Sequence, residues 1–557
     1  MSSSTEQTKP INRLVILYGE PKFYHTIILL KEIRELPNNY VSVIEVNNIE
    51  KVLEETTISS INFDYLHICI EFAKDSNPNL QKVNEFLRAH SDMLAKVPDI
   101  GYHIHFQPGK EWSQYSQEEL DGYFGFLRTL RDVAGDKVTH CSIVNKYDMD
   151  TMHITDKEGL EKLGREIQSD IQYWKNLKFL DFSESSLRSF QGIKLPETLE
   201  VLNIGGGYAL DSLLGFTMPS KLKTLIAGQG AIAFLRDVKF PSTLETLELQ
   251  DNKIYFLEDT NLPASLKHLD VSQNRLEDIW NVDWPKNLES LNLGMNPIES
   301  MRGMKLPERL KYLEVSCMPS DSMAGLKFPD SLEVLNLSSS MTNARGLKIP
   351  PNVKTLVLSG NYINSVNPLK LPNSVEILYL NNNNIKTLNK VSLPPKLQEL
   401  YLGDNQFTTL KNVVFPDTLQ VLDLENNPES SSYSSDKQIT TLRDIVLPPN
   451  LKTLKMGYHG IRIIENYEFP ATLRHLGLAY NELKYVRSLK FGNQLKTLDL
   501  SGNPELLSLD NVIIPTSVTE LRVSPGLIPN LPASVIERAN KNILLIKKAP
   551  EMEHFDV

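Results

Sequence analysis

The chain has 557 residues, of which 41% are hydrophobic and 23% are charged, and its formal net charge is -11. This composition excludes general disorder, and the acidic balance argues against binding to nucleic-acid phosphates. No apolar run is long enough for a transmembrane helix, and the polar start has no signal-peptide core. Three scattered cysteines make no disulfide framework. We therefore expect a soluble intracellular protein, cytoplasmic or also nuclear, that binds no membrane.

Residues 1–173 alternate strand-like apolar runs with helix-like segments, which indicates an irregular α/β region. We predict strands at 13–18, 40–46, 64–70, 101–106 and 138–144. We predict helices at about 22–35, 79–95, 117–133 and 156–172. Two hypotheses stand for this region. In the first, the region consists of diverged, longer copies of the repeat that begins at residue 174. In the second, it is a separate doubly wound domain. We favour the first because no linker separates the region from the repeats.

Four histidines of this region are the best candidate metal ligands. They fall on three predicted neighbouring strands, and two of them share a strand face by their i, i+2 spacing: His67, His103, His105 and His140. Zinc ligands converge in space with thiolates or carboxylates, so we interpret these histidines as ordinary strand residues. Phosphate-loop, GxGxxG, GxSxG and HExxH motifs are absent from the sequence, so we expect no metal, no cofactor and no enzymatic activity.

From about residue 174 the sequence repeats one template, P-x-x-L-x-x-L-x-L-x-x-N. Two consecutive units read PSTLETLELQDNKIYFLEDTNL and PASLKHLDVSQNRLEDIWNVDW. The first leucine of the template, which we name the first core position, occurs sixteen times, mostly 22 residues apart and once 32 residues apart. These positions are Leu177, Leu199, Leu222, Leu244, Leu266, Leu288, Leu310, Leu332, Val353, Val375, Leu397, Leu419, Leu451, Leu473, Leu495 and Val518.

The template predicts the geometry of each unit. The Leu-x-Leu alternation, as in Leu247 and Leu249, puts two side chains on one face of a strand. Proline lies three residues before the first core position in fourteen units, where its missing N–H suits a position outside the ladder. A buried asparagine can bond unpaired backbone groups in the turn after the strand. The nine units with asparagine there have Asn252, Asn274, Asn296, Asn361, Asn383, Asn405, Asn427, Asn481 and Asn503.

The residue just after the first core position alternates in charge. These residues are Glu200, Lys223, Glu245, Lys267, Glu289, Lys311, Glu333, Lys354 and Glu376. Stacked strands lie about 4.8 Å apart, so the alternation predicts ion pairs between successive units. Slipping by one unit would set like charges together, so we interpret the pairs as a device that fixes register.

Two segments interrupt or end the array. The unit that begins at Leu419 has a serine-rich insertion near 428–438, which we expect to be an exposed loop. Residues 524–557 leave the period, and we predict that they form a C-terminal cap and tail. In this cap Ile543, Leu544 and Ile546 would cover the last core layer.

The repeat resembles the leucine-rich-repeat superfamily over residues 174–523. Its 22-residue length is similar to the subclass of the protein-phosphatase-1 regulator, and its proline-led opening, as in LPETLEVLNI, is similar to FNIP-type and bacterial effector repeats. The resemblance implies an α/β fold: a right-handed solenoid with a parallel concave sheet, short irregular convex segments, and the irregular α/β region before it. The leading proline departs from the phosphatase-regulator pattern and weakens the transfer of a phosphatase partner.

The residue between the two strand leucines lies on the implied concave face. Six units have an acid there and two have a base: Asp181, Glu248, Asp270, Glu314, Asp423, Asp499, Lys455 and Arg522. Two positions further along, most units have glycine, serine or alanine, which would make a shallow floor. Tyr379 and Tyr401 fall on adjacent strands beside Asp423, and tyrosine is enriched at interface hot spots. Secondary candidates for partner binding are Tyr312, Glu314, Tyr458, His475 and Tyr480.

Three functional hypotheses follow. The leading one is a non-enzymatic scaffold that binds a protein or peptide on the acidic, small-residue concave face. The second is an adapter, either an F-box/LRR type that recruits substrates to a ubiquitin ligase or a phosphatase regulator. The segment KFYHTIILLKEIRELP has the length of an F-box helix without a persuasive motif. The third is an enzyme within residues 1–173. The sequence indicates no oligomeric state.

Overall fold

The computed structural model describes most of the repeat array and parts of the N-terminal region. In the array it describes residues 174–548 except 185–186, 207, 209, 320–324, 341–345, 427–438, 444 and 510–511. Before the array it describes five strands and the helical residues 88–89, 91–94, 128–129, 132–133, 137 and 171. Backbone contacts divide the chain into two compact units, residues 1–288 and residues 289–557.

The N-terminal strands are parallel and agree with the predicted ones to within two residues. They are β1 (Asn12–Tyr18), β2 (Tyr40–Val46), β3 (Tyr65–Phe72), β4 (Asp99–Phe106) and β5 (Val138–Asn145). One short helix, α1 (Ser91–Leu94), falls in the predicted helix 79–95. The predicted helix at about 22–35 lies outside the described residues.

The order of these strands is β2-β1-β3-β4-β5, since β1 pairs with both β2 and β3. Successive repeats would stack in chain order, so the position of β1 between β2 and β3 is a feature of doubly wound sheets. β5 nevertheless continues by pairing with the first strand of the array, as a stacked unit does. The region therefore combines features of both hypotheses, and its boundary stays a prediction.

Each unit of the array contributes one short strand. In the first compact unit these are β6 (Phe179–Asp181), β7 (Val201–Asn203), β8 (Thr224–Ile226), β9 (Thr246–Glu248) and β10 (His268–Asp270). Each pairs in parallel with the next, and the middle leucine of each strand is buried.

The second compact unit continues the same pattern. Its repeat strands are β11 (Ser290–Asn292), β12 (Tyr312–Glu314), β13 (Val334–Asn336), β14 (Thr355–Val357), β15 (Ile377–Tyr379), β16 (Glu399–Tyr401), β17 (Val421–Asp423), β18 (Thr453–Lys455), β20 (His475–Gly477), β22 (Thr497–Leu500) and β23 (Glu520–Val523). Away from this sheet, β19 (Ile463–Glu465) and β21 (Tyr485–Arg487) form a separate parallel pair. The described segments between the repeat strands contain short turns and one 3₁₀ turn, Asn367–Leu369, as the repeat length predicts.

The leading proline opens a tight turn. In fourteen units the backbone N–H of the first core residue donates to the proline carbonyl three residues earlier, at 3.0–3.4 Å. Because the proline contributes only its carbonyl to this bond, its missing N–H costs the turn nothing. The turn brings the chain back into the sheet at the same point in every such unit.

The asparagines form the buried ladder that the sequence predicts. In Asn252, for example, Nδ2 donates to the carbonyls of Leu249 and Ala227, and Oδ1 accepts from the N–H of Ile232. Thus one side chain bonds its own unit and the preceding one. Seven of these residues bond the preceding unit's carbonyl at 2.8–3.0 Å: Asn252, Asn274, Asn361, Asn383, Asn405, Asn481 and Asn503. Asn427 lies outside the described residues, and His459 takes the ladder position in the next unit.

The alternating charges make discrete ion pairs. Each lysine contacts the glutamate of the preceding unit at 2.6–2.7 Å, in the pairs Lys223–Glu200, Lys267–Glu245, Lys311–Glu289 and Lys354–Glu333. The pKa of Glu333 is lowered, first by its hydrogen bond from Lys354 and more weakly by the charge of Lys311. Glu333 therefore interacts electrostatically with Lys311 and Lys354 but forms a hydrogen bond only with Lys354.

We expect Glu333→Lys to lower the melting temperature at low salt, because it would set three lysines in adjacent units. The neutral variant Glu333→Gln should have a smaller effect. In about 1 M salt, where the Debye length is about 3 Å, the two variants should melt together. Thermal unfolding of both variants at the two salt concentrations is the measurement. A difference that persists in high salt would contradict an electrostatic register device.

The C-terminal cap differs in detail from the prediction. After a 3₁₀ segment, Pro525–Asn530, come α2 (Ala533–Asn540) and β24 (Leu545–Lys548), which pairs with β23. Of the three residues expected to cover the core, only Leu544 is buried. Ile546 is half-buried and Ile543 is 53% exposed, so the expectation for Ile543 was wrong. Ile543 lies just before β24, where the side chains alternate between the two sides of the chain: Leu544 is buried, and Ile543 and Leu545 are exposed.

Candidate functional site

The candidate site lies on the face of the sheet that the buried leucines do not use, on strands β15, β16, β17, β18, β20 and β22. We name it the open sheet face. Each strand there buries its middle leucine and leaves the residues on either side partly exposed. The strand register aligns one row of side chains across consecutive strands: Tyr379, Tyr401, Asp423, Lys455, Gly477 and Asp499. The structure thus brings together the three residues at the centre of the predicted site.

The first aromatic element of the row is a stacked tyrosine pair. The rings of Tyr379 and Tyr401 are 4.4 Å apart between centroids and only 6° from parallel. The hydroxyl of Tyr401 donates to Oε2 of Glu399 at 2.8 Å. Partial burial, and then this hydrogen bond, raise the pKa of Tyr401. The stacking and this hydrogen bond hold the two rings in one arrangement on the sheet.

A second tyrosine pair lies on the turns that follow β18 and β20. The rings of Tyr458 and Tyr480 stack at 4.5 Å, 7° from parallel. Both residues have a left-handed backbone, with φ of 58° and 53°, as does the residue before the ladder position in most units. Gly502 occupies the equivalent turn of the next unit with φ of 67°, and a Cβ there would collide with the ring of Tyr480. The absence of a side chain at Gly502 leaves room for the stack.

Carboxylates surround these rings. The ammonium group of Lys455 contacts Asp423 at 3.0 Å. Glu425 is half-buried, and its pKa is raised by burial first and then by Asp423, while Lys455 opposes the shift. The pKa of Tyr458 is raised first by partial burial, then by Tyr480, and then by the charges of Glu425 and Asp499. The carboxylates of this cluster outnumber its one cation, Lys455. The surface can therefore accept hydrogen bonds from a cationic or polar partner.

The secondary candidates divide into two groups. Tyr458 and Tyr480 form the second stack, and His475 lies in the neighbouring row, where Nδ1 is 2.8 Å from the hydroxyl of Thr497. Tyr312 and Glu314 are hydrogen-bonded to each other on β12, three strands before Tyr379. They are therefore about 14 Å from the central row at the usual strand spacing.

Sequence reasoning missed Glu425 and the stacking of the second tyrosine pair. Glu425 occupies the position at which most units have a small residue, and this exception to the pattern was the available signal. The pairing of Tyr458 with Tyr480 depends on a left-handed backbone position, which the residue pattern marks only weakly.

The described residues contain no group of three or more His, Cys, Asp or Glu side chains placed to hold a metal ion. Strand register aligns His67 and His140 with Gly101 between them, and His103 lies in another row. The side chains of His67, His103 and His105 lie outside the described residues. No described helix is long and apolar enough to cross a membrane.

A family model matches part of the array. Residues 366–405 match the FNIP repeat, and this segment includes both Tyr379 and Tyr401. The fold is thus a leucine-rich-repeat solenoid, as the sixteen copies of the template predict, and residues 366–405 within it are similar to the FNIP repeat. The likeness to the phosphatase-regulator subclass stays a prediction.

Several solved structures are similar to the chain at low identity. An internalin (inlF) from Listeria monocytogenes is 17% identical over 62% of this chain and 93% of its own, with a TM-score of 0.39. The circular LRR protein CroV588 is 16% identical over 86% of this chain and 78% of its own, with a TM-score of 0.47. A chain of the Toll–Spatzle complex of Drosophila is 15% identical over 91% of this chain and 76% of its own, with a TM-score of 0.40. No curated protein matches the sequence significantly.

Proposed function

We propose that the chain is a non-enzymatic interaction scaffold that binds a protein or peptide partner on the open sheet face. The observation that carries the proposal is the pair of stacked tyrosine elements beside Asp423 and Glu425. All four tyrosines are only partly buried and lie outside the leucine core, so part of each ring is accessible to a partner. Aromatic side chains supply contact area with few rotatable bonds, which suits a binding hot spot.

The shape of the floor supports the same proposal. Gly403, Gly457 and Ala479 follow the strands at the site, and a Cβ at Gly403 would collide with the carbonyl of Glu425. Small residues let a partner approach the sheet closely beside the partly exposed tyrosines. A partner with basic and apolar side chains fits this combination.

The double variant Tyr379→Ala/Tyr401→Ala should lose its partner in an affinity capture from lysate while keeping its fold. The reason is that both rings are partly exposed on the sheet and absent from the core. Removal of two hot-spot side chains should weaken binding by more than about tenfold. Mass spectrometry identifies the lost protein, and thermal unfolding verifies the fold.

The matched control is Tyr255→Ala/Tyr485→Ala, which removes two tyrosines away from the repeat strands. It should retain the partner that the first variant loses. Equal retention by both variants would overturn the proposal for this face. A captured phosphatase catalytic subunit or ubiquitin-ligase component would instead favour the adapter hypothesis. We also propose an intracellular location, which imaging of the tagged full chain tests.

A further inference from the structure

A second, oppositely charged surface lies in the second compact unit, on the side of the repeats away from the sheet. Five residues before the first core position, four consecutive units have an exposed lysine. We name Lys305, Lys327, Lys348 and Lys370 the lysine column. The first two are paired in a parallel bridge, so the column follows the stacking direction of the repeats. At the usual strand spacing the four backbone positions span about 14 Å.

The fold itself does not require this run of like charges. At the same position of two later units the chain has Glu468 and Lys490, which are bridged in the same way and form an ion pair at 3.3 Å. The residues just after the first core position also place opposite charges in adjacent units, as alternating glutamate and lysine. In the lysine column, however, no carboxylate of the described residues forms an ion pair with any of the four lysines.

Neighbouring segments extend the basic surface. The off-sheet segments 362–374 and 384–396 contain lysines and not one acidic residue. Beyond Lys370 itself, these lysines are Lys386, Lys390 and Lys396, all exposed. Adjacent like charges repel each other, so the free protein is less stable for having them, and an anionic partner would relieve the repulsion.

We propose that the lysine column is a binding surface for a short acidic segment of a partner protein, separate from the open sheet face. The charge of the chain favours this occupant over a long polyanion. A nucleic acid or an anionic membrane would extend beyond the column and meet a chain whose net charge is -11. A short acidic segment would contact the column alone. Acidic residues of the chain that lie beyond the Debye length of about 8 Å would then repel it little.

The test is fluorescence anisotropy with the full chain and a short labelled peptide of alternating glutamate and serine. The column variant is Lys305→Gln/Lys327→Gln/Lys348→Gln/Lys370→Gln. The matched control, Lys175→Gln/Lys221→Gln/Lys253→Gln/Lys286→Gln, removes the same charge from exposed lysines elsewhere. We expect the column variant to bind about tenfold more weakly than the wild type and the control to bind like the wild type.

Three results would overturn the proposal. The first is equal weakening in both quadruple variants, which would indicate net charge alone. The second is equal binding of a peptide with glutamine in place of glutamate. The third is stronger binding of a duplex oligonucleotide or of phosphatidylserine vesicles, in each case lost in the column variant. Tyr379→Ala/Tyr401→Ala should bind the acidic peptide normally, so this proposal and the proposed function can fail separately.

Discussion

Substituting Asn383 with alanine should destabilise the protein by about 2–3 kcal/mol, a large effect for a single polar residue of the array. Asn383 is buried; its Nδ2 donates to the carbonyls of Leu358 and Leu380, and its Oδ1 accepts from the N–H of Ile363. Alanine would leave the buried N–H of Ile363 without its acceptor. The carbonyls of Leu358 and Leu380 would each lose one of two amide donors and keep the other, from Asn361 and Asn405. Urea unfolding followed by circular dichroism would measure the shift of the midpoint.

The control for this prediction is Asn389→Ala, an exposed asparagine of the same unit. It should change the free energy of unfolding by less than about 0.5 kcal/mol. Asn383→Asp keeps the acceptor and loses the donors, so it should also be strongly destabilising. If Asn383→Ala were as stable as Asn389→Ala, water or a shifted backbone would have to satisfy the N–H of Ile363.

Acidification should destabilise the protein through His459, which replaces asparagine in the ladder. The ring is buried, with Nε2 2.8 Å from the carbonyl of Leu424 and Nδ1 3.1 Å from Nδ2 of Asn426. Since a carbonyl accepts only, Nε2 holds the proton and Nδ1 accepts from the amide, which requires the neutral ring. Burial lowers the pKa of His459 from 6.5 to about 4, and the bond to Leu424 opposes the shift weakly.

The sign follows from which state binds the proton first. As pH falls below about 6.5, the unfolded chain protonates this histidine while the folded protein does so only near pH 4. The free energy of unfolding therefore falls across that window, by about 3 kcal/mol in total from this residue, and no further below it. Unfolding by urea between pH 7.5 and pH 4 would measure the loss.

His459→Asn isolates this contribution from the carboxylates that titrate in the same range. Asn481 and Asn503 make the equivalent bond to the preceding unit, so asparagine can fill the position. The variant should match the wild type near pH 7.5 and become the more stable of the two near pH 4. Parallel pH dependence in both proteins would mean that His459 titrates normally in the folded state.

The array was predictable because its information is periodic. Leu378 and Leu400, for example, mark both the strand and the partner strand, since each stands at the same place in its own unit. The row that joins Tyr379, Tyr401 and Asp423 followed directly from that register. The asparagine ladder was predictable for the same reason: one side chain at one position must satisfy the same backbone groups in every unit.

Features outside the period were not predictable. The position of β1 between β2 and β3 depends on long-range packing, and these strands have no residue that marks their order. Ile543 is apolar like the core residues but falls on the exposed side of the chain entering β24. Hydroxyls just before the first core position form another ladder that the sequence analysis did not recognise, in which Thr243 and Ser265 donate to the preceding unit's core carbonyl.

The parallel pairing of one strand per unit also determines how the sheet can assemble. Parallel sheets usually join distant parts of a chain and fold slowly. Here Leu378 pairs with Leu400, so each pairing closes a loop of about one repeat regardless of the length of the array. Where the serine-rich insertion intervenes, Leu422 pairs with Leu454, and the longer loop adds only about 0.3 kcal/mol of closure entropy. Extra residues at that point therefore leave the order of assembly along the chain almost unchanged.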